Sequence, residues 1–338
     1  MRDDAGSTVI EMGDLNTPWC IRVAVTLGLA EHISSGVHEL SRLAELTECD
    51  TEGLRRVIRR LEKDGLFVEP APDEFELTEL GRGLLDERVR VRMSLNGIGD
   101  RYARVWNGLL RSVQSGSSSY HHTFGLPFWR DLDRNSELAD SYEQLMGPVG
   151  HGVPDMKFEI SGGWDEIKNV MLLGGETGAK LTKLLQLHPH LHGTLLDLPR
   201  AIERSKQIVA GSGVADRFST VAQSYFDPLP DGFDLYLMYG TLRAWPDALC
   251  VRLLTRCADA ARRDQGRVVV VDGPTPKQAP AARGDQYGSL LELMIGGKGA
   301  RTRTLEEIRA LTDKAGLVVS RVGEAIDMAL VVECRVAD

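Results

Sequence analysis

The sequence lacks the features that identify disulfide-stapled, zinc-binding or membrane-spanning proteins. Its 338 residues include five cysteines at scattered positions and no Cys-x-x-Cys pair, so neither a disulfide framework nor a zinc knuckle is indicated. The chain has no apolar run of about 18 residues, and its first residues, MRDDAGSTVIEMGD, lack the apolar stretch of a signal peptide. We therefore expect a protein of the reducing cytoplasm that does not associate with a membrane.

Histidine is also scarce, and its distribution excludes one kind of catalyst. None of the eight histidines lies beyond His192, so the C-terminal part of the chain has no imidazole to act as a general base. His121 and His122 are adjacent on a predicted loop without an evident third ligand, so we expect no metal site. The net charge of −9 opposes binding to a phosphate backbone, and we expect no nucleic-acid partner.

The N-terminal half is predicted to be helical. Apolar residues recur at helical spacing over 8–34, and residues 40–77 follow the order helix, turn, helix, short hairpin. This order predicts a winged helix-turn-helix within residues 1–90, followed by a helical segment over 91–165. The second helix of the pair carries several arginines, which we interpret as a solvated face in preference to a DNA-reading helix, because the chain as a whole is acidic.

From residue 166 onward, predicted strands and helices alternate. Buried strands are predicted at 169–173, 193–196, 233–238 and 267–272, and two more close the chain after a helix at 305–315. Such alternation is typical of a parallel sheet wrapped by helices. The sequence therefore predicts a doubly wound α/β domain over 166–338.

A glycine-rich turn follows the first of these strands. Gly174-Gly175-Glu176-Thr177-Gly178 precedes a predicted helix, and Asp197 ends the next strand. Glycines let a backbone approach a ligand closely, and an acid about 20 residues later accepts hydrogen bonds from ribose hydroxyls. The pattern indicates a nucleotide-type site, with a helix-capping role for Asp197 as the open alternative.

Six segments carry a resemblance to a known family: TPWCIRVAVTLGLAEHI, FGLPFWRDL, GTLLDLPRAIERSK, YFDPLPDGFDLYLM, LRAWPD and RTLEEIRALTDKAGL. Together, over residues 8–336, they resemble the SAM-dependent O-methyltransferases of bacterial secondary metabolism. The resemblance implies a Rossmann-like class I methyltransferase domain, an N-terminal all-α, winged-helix dimerisation domain and a homodimer. It also implies a small polyketide-like or aromatic substrate in a cavity lined by Trp106, Trp129, Met146, Tyr287 and Met294, for each of which plain core packing is the alternative.

The sequence departs from the family pattern where SAM binds. Leu172 takes the place of the family's aspartate before the glycines, and Glu176 takes the place of the third glycine, where its charge would repel the SAM carboxylate. Glu176 is either a repurposed group or a drifted one. Because Ser224 also replaces an acid near the adenine, we expect either no SAM or weakly bound SAM at Gly174, Glu176, Gly178, Asp197 and Ser224.

Arg243 stands where the family has its catalytic histidine. Arginine stays protonated because its pKa exceeds about 12. We therefore interpret Arg243 as a group that stabilises negative charge on a substrate oxygen, against the alternative of a solvated or ion-paired arginine. Asp272, at the end of a strand, and His151, between two glycines on the segment that joins the domains, are the candidate acid/base groups.

These departures favour an enzyme of natural-product biosynthesis that keeps the methyltransferase fold but performs other chemistry, such as a cyclase or pericyclic reaction. The first alternative is an atypical SAM-dependent O-methyltransferase. The second is a non-catalytic subunit or regulator. Fold alone does not decide among the three.

Overall fold

The computed structural model describes residues 5–147, 154–175, 177–274, 286–297, 299–325 and 329–337. Its contacts divide the chain into two compact units. Unit 1 comprises Met1–Arg104 and Asp131–Leu145, and unit 2 comprises Val105–Arg130 and Met146–Asp338. The segment 91–165, predicted as a helical region between two domains, is thus shared between the two units.

The secondary structure follows the chain in the order helices, hairpin, helices, then alternating strands and helices. The helices are α1 (Ala5–Met12), α2 (Asn16–Thr26), α3 (Leu29–Ser34), α4 (Leu40–Leu46), α5 (Thr51–Lys63), α6 (Glu87–Met93), α7 (Ile98–Val105), α8 (Leu109–Ser115), α9 (Ser119–Phe124), α10 (Phe128–Arg134), α11 (Ser136–Met146), α12 (Ala179–Leu187), α13 (Pro199–Ala210), α14 (Asp247–Asp264), α15 (Gln286–Gly296) and α16 (Leu305–Lys314). The strands are β1 (Phe67–Ala71), β2 (Glu74–Leu77), β3 (Asn169–Leu173), β4 (His192–Asp197), β5 (Phe218–Ala222), β6 (Leu235–Tyr239), β7 (Arg267–Pro274), β8 (Leu317–Glu324) and β9 (Ala329–Val336).

Unit 1 contains the predicted helix pair and hairpin. Asp50 begins α5 by accepting a hydrogen bond from the Gly53 amide at 2.7 Å. The apolar face of α5 then packs into a core that α3, α4 and the hairpin share. Strands β1 and β2 pair antiparallel around a two-residue turn, in which Asp73 adopts a positive φ of 62°.

The arginines of α5 bind acids of the same unit. The ion pairs are Arg55 with Asp73, Arg56 with Glu52, Arg59 with Glu69 and Arg60 with Asp14. These ion pairs neutralise the positive charge that a DNA-reading helix would direct at phosphates. They support the interpretation of a solvated face.

Unit 2 contains a seven-stranded sheet in the order β5-β4-β3-β6-β7-β9-β8. The pairs from β5 to β7 are parallel, whereas β9 runs antiparallel to both β7 and β8. The predicted mixed α/β fold with a mostly parallel sheet is confirmed. Alternate residues of β3 face opposite sides: Met171 packs with α14 and α16, and Leu172 packs with α12.

Three elements differ from the sequence prediction. Helix α15 was not predicted, because QYGSLLELMIG combines two glycines with an apolar run that has no clear helical period. Strand β5 was not predicted, because it is an edge strand, FSTVA, whose polar and half-exposed side chains give a weak pattern. His121 and His122 were predicted on a loop but lie in α9, which begins where the Ser118 hydroxyl accepts a hydrogen bond from the His121 amide at 3.2 Å.

Among the described residues, no group of three or more histidine, cysteine, aspartate or glutamate side chains is placed to hold a metal ion. The helices of the described ranges are also too short or too polar to cross a bilayer.

Gly178 provides a test of the packing at the start of α12. Its φ is +75°, and a Cβ would lie 2.9 Å from Ser205 Cβ and 3.0 Å from Phe218 Cζ. A left-handed backbone costs an L-residue about 1–2 kcal/mol. Gly213 has a φ of +74° with nothing within 4 Å of an added Cβ, so Gly213→Ala is the matched control. We expect urea unfolding to show a larger loss in the free energy of unfolding for Gly178→Ala than for Gly213→Ala. Equal losses would contradict the close packing at Gly178.

Buried thiols predict a weakening of the fold at alkaline pH. Burial raises the pKa of Cys250 to about 11 and that of Cys334 to about 12, whereas an unfolded thiol ionises near pH 8.5, roughly. The folded state disfavours the thiolate. The stability that each buried, protonated thiol contributes is therefore fully present below about pH 8.5, and it is lost as the pH rises toward the folded pKa.

We expect the free energy of unfolding in reducing buffer to fall above about pH 8.5, by about 1.4 kcal/mol per pH unit for each such thiol. Cys250→Ala, which removes a fully buried thiol, is expected to make this pH dependence shallower. Identical slopes in the two proteins would show that Cys250 does not contribute.

Candidate functional site

The candidate residues of unit 2 meet at the carboxyl edge of the parallel strands. The strand order changes direction beside β3, because β4 and β5 lie on one side of it and β6 and β7 on the other. Ligands of open α/β sheets bind in the crevice at such a switch point. The residues placed at this edge are Gly174 and Gly178 after β3, Asp197 at the end of β4, Ser224 after β5, Arg243 after β6 and Asp272 in β7.

The glycine turn after β3 requires glycine at its two ends. Gly174 and Gly178 have φ values of +66° and +75°. A Cβ on Gly175 would lie 2.9 Å from Leu172 Cδ2, so the fully buried leucine supports the turn from below. Glu176 lies outside the described residues.

Asp197 is fixed against this turn. Its Oδ2 accepts a hydrogen bond from the Gly175 amide at 3.0 Å, and its Oδ1 accepts one from the Leu198 amide at 2.7 Å. These bonds join the end of β4 to the glycine turn and orient the carboxylate. Ribose binding by Asp197 stays a prediction.

Tyr225 connects the glycine turn with the loop after β6. Trp245 Nε1 donates a hydrogen bond to Tyr225 Oη at 2.7 Å, and the ring of Tyr225 lies 3.4 Å from the Cβ position of Gly174. Burial, together with the negative charge of Asp197, raises the pKa of Tyr225, so the phenol stays neutral near pH 7. Sequence reasoning missed Tyr225, although it is the first residue of YFDPLPDGFDLYLM, one of the segments that carry the family resemblance.

Ser224 forms a local turn next to it. Its hydroxyl accepts a hydrogen bond from the Phe226 amide at 3.2 Å. This bond places Ser224 at the same edge as Asp197 without joining the two side chains.

Arg243 and Asp272 are brought together, and Arg243 also binds an acid that sequence reasoning missed. The Arg243 amide donates to Asp272 Oδ2 at 3.0 Å, and the Asp272 side chain is buried. The Arg243 guanidinium donates to Glu292 Oε1 from Nη2 at 2.8 Å and from Nε at 3.1 Å. Glu292 is the single charged residue of helix α15, QYGSLLELMIG, and that isolation was the available signal.

The Arg243–Glu292 pair is accessible to a small molecule. The Arg243 side chain is 48% exposed and the Glu292 side chain is 31% exposed. The ion pair therefore contributes a modest net free energy, about 1 kcal/mol or less. A hydroxyl group of a ligand can therefore form a hydrogen bond with Arg243 or Glu292 at a small cost in ion-pair free energy.

The predicted cavity residues are only partly placed. Met294 is fully buried, and Trp106, Trp129 and Met146 are half-buried. The Trp129 ring contacts the Phe128 ring edge-on, at 4.9 Å between centroids. His151 and the side chain of Tyr287 lie outside the described residues, so the cavity and the role of His151 remain predictions.

The residues present fit the nucleoside end of SAM. The turn carries glycine at two positive-φ positions, Asp197 is held at the end of β4, and the partly buried Tyr225 ring lies beside the turn. These groups offer a close backbone approach, a carboxylate for ribose hydroxyls and an aromatic surface.

Comparisons with known proteins place the chain in the same context. Residues 106–318 match the O-methyltransferase domain family. Aclacinomycin 10-hydroxylase RdmB of Streptomyces purpurascens is 32% identical over 91% of this chain and 83% of its own length. The 2,7-dihydroxy-5-methyl-1-naphthoate 7-O-methyltransferase of Streptomyces carzinostaticus is 31% identical over 95% of both chains.

A solved structure overturns one expectation. The O-methyltransferase NcsB1 of neocarzinostatin biosynthesis, in complex with SAM and 2-hydroxy-5-methyl naphthoic acid, matches with a TM-score of 0.77 and 30% identity, covering 96% of this chain and 98% of that one. The expectation of absent or weakly bound SAM is therefore wrong. That expectation considered only the replaced side chains. The backbone of the turn still has positive φ at Gly174 and Gly178, and Asp197 is held against it by the Gly175 amide. On the match over residues 106–318 and the 32% and 31% identities, this chain belongs to the O-methyltransferase domain family.

Proposed function

We propose that this protein is a SAM-dependent O-methyltransferase that methylates a phenolic hydroxyl of an aromatic natural product, with the Arg243–Glu292 pair in place of a histidine base. The observation that carries the proposal is this ion pair at the carboxyl edge of the sheet, in the same unit as the glycine turn. The relatives named as O-methyltransferases favour methylation over cyclase or pericyclic chemistry.

Gly174, Gly178 and Asp197 hold the donor in this proposal, with Tyr225 and Ser224 beside the nucleoside. SAM supplies an electrophilic methyl group when bound. Asp197 would accept hydrogen bonds from the ribose hydroxyls, because backbone amides already orient its carboxylate.

Arg243 and Glu292 act on the acceptor hydroxyl. A free phenol has a pKa near 10, as a tyrosine does, roughly. The guanidinium stabilises negative charge that develops on the phenol oxygen, and one charge-assisted hydrogen bond of about 1.5–3 kcal/mol lowers that pKa by about one to two units. The Glu292 carboxylate would accept the proton of the acceptor hydroxyl.

Asp272 positions Arg243 in this scheme. Its buried carboxylate holds the Arg243 amide at 3.0 Å and fixes the start of the loop after β6. This contact favours Glu292 over Asp272 as the base, because Asp272 is buried and Glu292 keeps 31% of its exposure.

A test of the proposed function concerns methyl transfer and the Arg243–Glu292 pair. The probes are 1,4-dihydroxy-2-naphthoic acid, which NcsB1 binds, and 2,7-dihydroxy-5-methyl-1-naphthoate, the substrate named for the Streptomyces carzinostaticus relative. With SAM, we expect mass spectrometry to show the gain of one CH₂ unit. Arg243→Met and Glu292→Gln are expected to lower kcat/KM by about 10²-fold, the usual effect of losing a general base or an oxyanion contact.

The matched control is Arg262→Met, which breaks an exposed arginine–aspartate pair on α14, and it is expected to leave kcat/KM unchanged. Calorimetry with S-adenosylhomocysteine is expected to show binding that Asp197→Asn weakens. Wild-type activity in Arg243→Met would remove the pair from the mechanism. Product with one added oxygen atom and no methyl group would support a hydroxylase, the activity named for RdmB.

A homodimer is the second part of the proposal. Unit 1 exposes apolar side chains on α1 and before and within α2, namely Val9 (67%), Ile10 (76%), Met12 (83%), Leu15 (66%) and Trp19 (40%). Leu110 and Val113 of α8, in unit 2, are also exposed. Large apolar side chains exposed in this number within one unit favour a protein interface.

We expect light scattering to return twice the chain mass of 37.2 kDa. Ile10→Glu is expected to shift the protein toward monomer, because a buried carboxylate at an interface is costly. Val318→Glu, on exposed strand β8, is the control that keeps the dimer. A wild-type mass equal to one chain would refute the dimer.

A further inference from the structure

Arg303 is a buried arginine whose side chain binds two loops at once. It is only 2% exposed, and its guanidinium donates to four carbonyl oxygens and one carboxylate. The acceptors are the carbonyls of Leu242 (2.9 Å), Trp245 (2.7 Å), Gly299 (2.9 Å) and Arg301 (3.3 Å), together with Asp247 Oδ1 (2.8 Å).

The first loop that Arg303 binds carries Arg243. Leu242 and Trp245 bracket Arg243 in the chain, and Asp247 begins α14 directly after them. The two carbonyls accept hydrogen bonds from different nitrogens, Nη1 and Nη2, of one planar group. The guanidinium therefore fixes the course of the loop on both sides of Arg243.

The second loop follows α15, the helix that carries Glu292. Gly299 and Arg301 bind the same guanidinium through their carbonyls. A Cβ on Gly299 would overlap Pro246, so the two loops are in direct contact. In the last turn of α15, the Ser118 hydroxyl donates to the Met294 carbonyl at 3.1 Å and also to the Ile295 carbonyl.

We propose that Arg303 is the positioning residue that sets the distance between Arg243 and Glu292. This proposal rests on the proposed function, because it concerns the pair that acts on the acceptor hydroxyl in that function. Arg303 touches neither reacting group. It acts by holding the backbone on each side of Arg243 and the backbone that follows the helix of Glu292, and a displacement of about 1 Å at such a pair lowers turnover by about 10²-fold.

Lysine at position 303 is the informative substitution. It keeps the positive charge opposite Asp247, but it has a single ammonium with three donors and cannot reach four carbonyls on two loops. Arg303→Lys therefore tests the fork geometry and leaves the local charge unchanged.

Arg267 offers a matched control within the same unit. It is also largely buried, with 15% of its side chain exposed, and it binds the Ser161 carbonyl, Glu166 and Glu333. It lies at the start of β7, at the sheet edge opposite the carboxyl ends. Arg267→Lys thus removes a comparable network away from the site.

The experiment compares Arg303→Lys and Arg267→Lys in the full chain. We measure urea unfolding, S-adenosylhomocysteine affinity by calorimetry, and kcat and KM with 1,4-dihydroxy-2-naphthoic acid. Both variants are expected to lose stability. Arg303→Lys is expected to lower kcat by about 10²-fold with unchanged S-adenosylhomocysteine affinity, and to move the alkaline rise of kcat/KM to higher pH, because the phenolate loses part of its stabilisation. Arg267→Lys is expected to retain kcat.

A second readout does not depend on methylation. The Trp245 indole N–H donates to Tyr225, and its ¹⁵N resonance, assigned with Trp245→Phe, reports the position of the loop. This resonance is expected to shift in Arg303→Lys and not in Arg267→Lys, even where the wild type methylates neither probe. If Arg303→Lys fails to fold, Asp247→Asn weakens the same network at a 57% exposed side chain and is expected to move kcat and the resonance in the same direction. An unmoved resonance, or equal losses of kcat in Arg303→Lys and Arg267→Lys, would overturn the proposal.

Discussion

The constraint on which the site depends is the hydrogen bonding of backbone groups beyond the carboxyl ends of the parallel strands. Where a strand ends, its amides and carbonyls lose their ladder partners, and buried backbone groups must find others. In this protein, charged and polar side chains supply them. Asp197 accepts from the turn after β3, Asp272 accepts from the loop after β6, and Thr241 donates to the Leu173 carbonyl at 2.8 Å.

This constraint changes how the charged residues of the edge are understood. Asp272 is a candidate acid by its type, but its buried carboxylate is already bound to the backbone of the residue it would assist. Arg243 is held by its amide, so its guanidinium is the part that extends to Glu292. Burial separates the two roles. The buried Asp272 carboxylate orients the loop, whereas the Arg243–Glu292 pair is partly exposed.

The error about SAM has a related origin. Replacements at Leu172, Glu176 and Ser224 counted as lost contacts in the sequence, yet much of a dinucleotide-type site consists of backbone in the right conformation. Gly174 and Gly178 keep their positive φ values, and Leu172 supports the turn by packing beneath it. A side-chain inventory without backbone geometry therefore overestimates the loss.

The sequence by itself determined the elements with strong periodic or capping signals: the helix and hairpin order over 40–77, the buried strands β3, β4, β6 and β7, and the glycine turn with Asp197 beyond it. It missed the edge strand β5 and the short helix α9, because a few polar residues carry little periodicity. It also missed α15, whose apolar run has no clear helical period. The partners of Arg243 and of the buried Arg303 depended on the tertiary structure alone. Arg243 and Glu292 are 49 residues apart, and Trp245 and Arg303 are 58 apart. Local sequence patterns extend only over a turn of helix or a strand, so the packing of loops from different strands at one sheet edge decides such contacts.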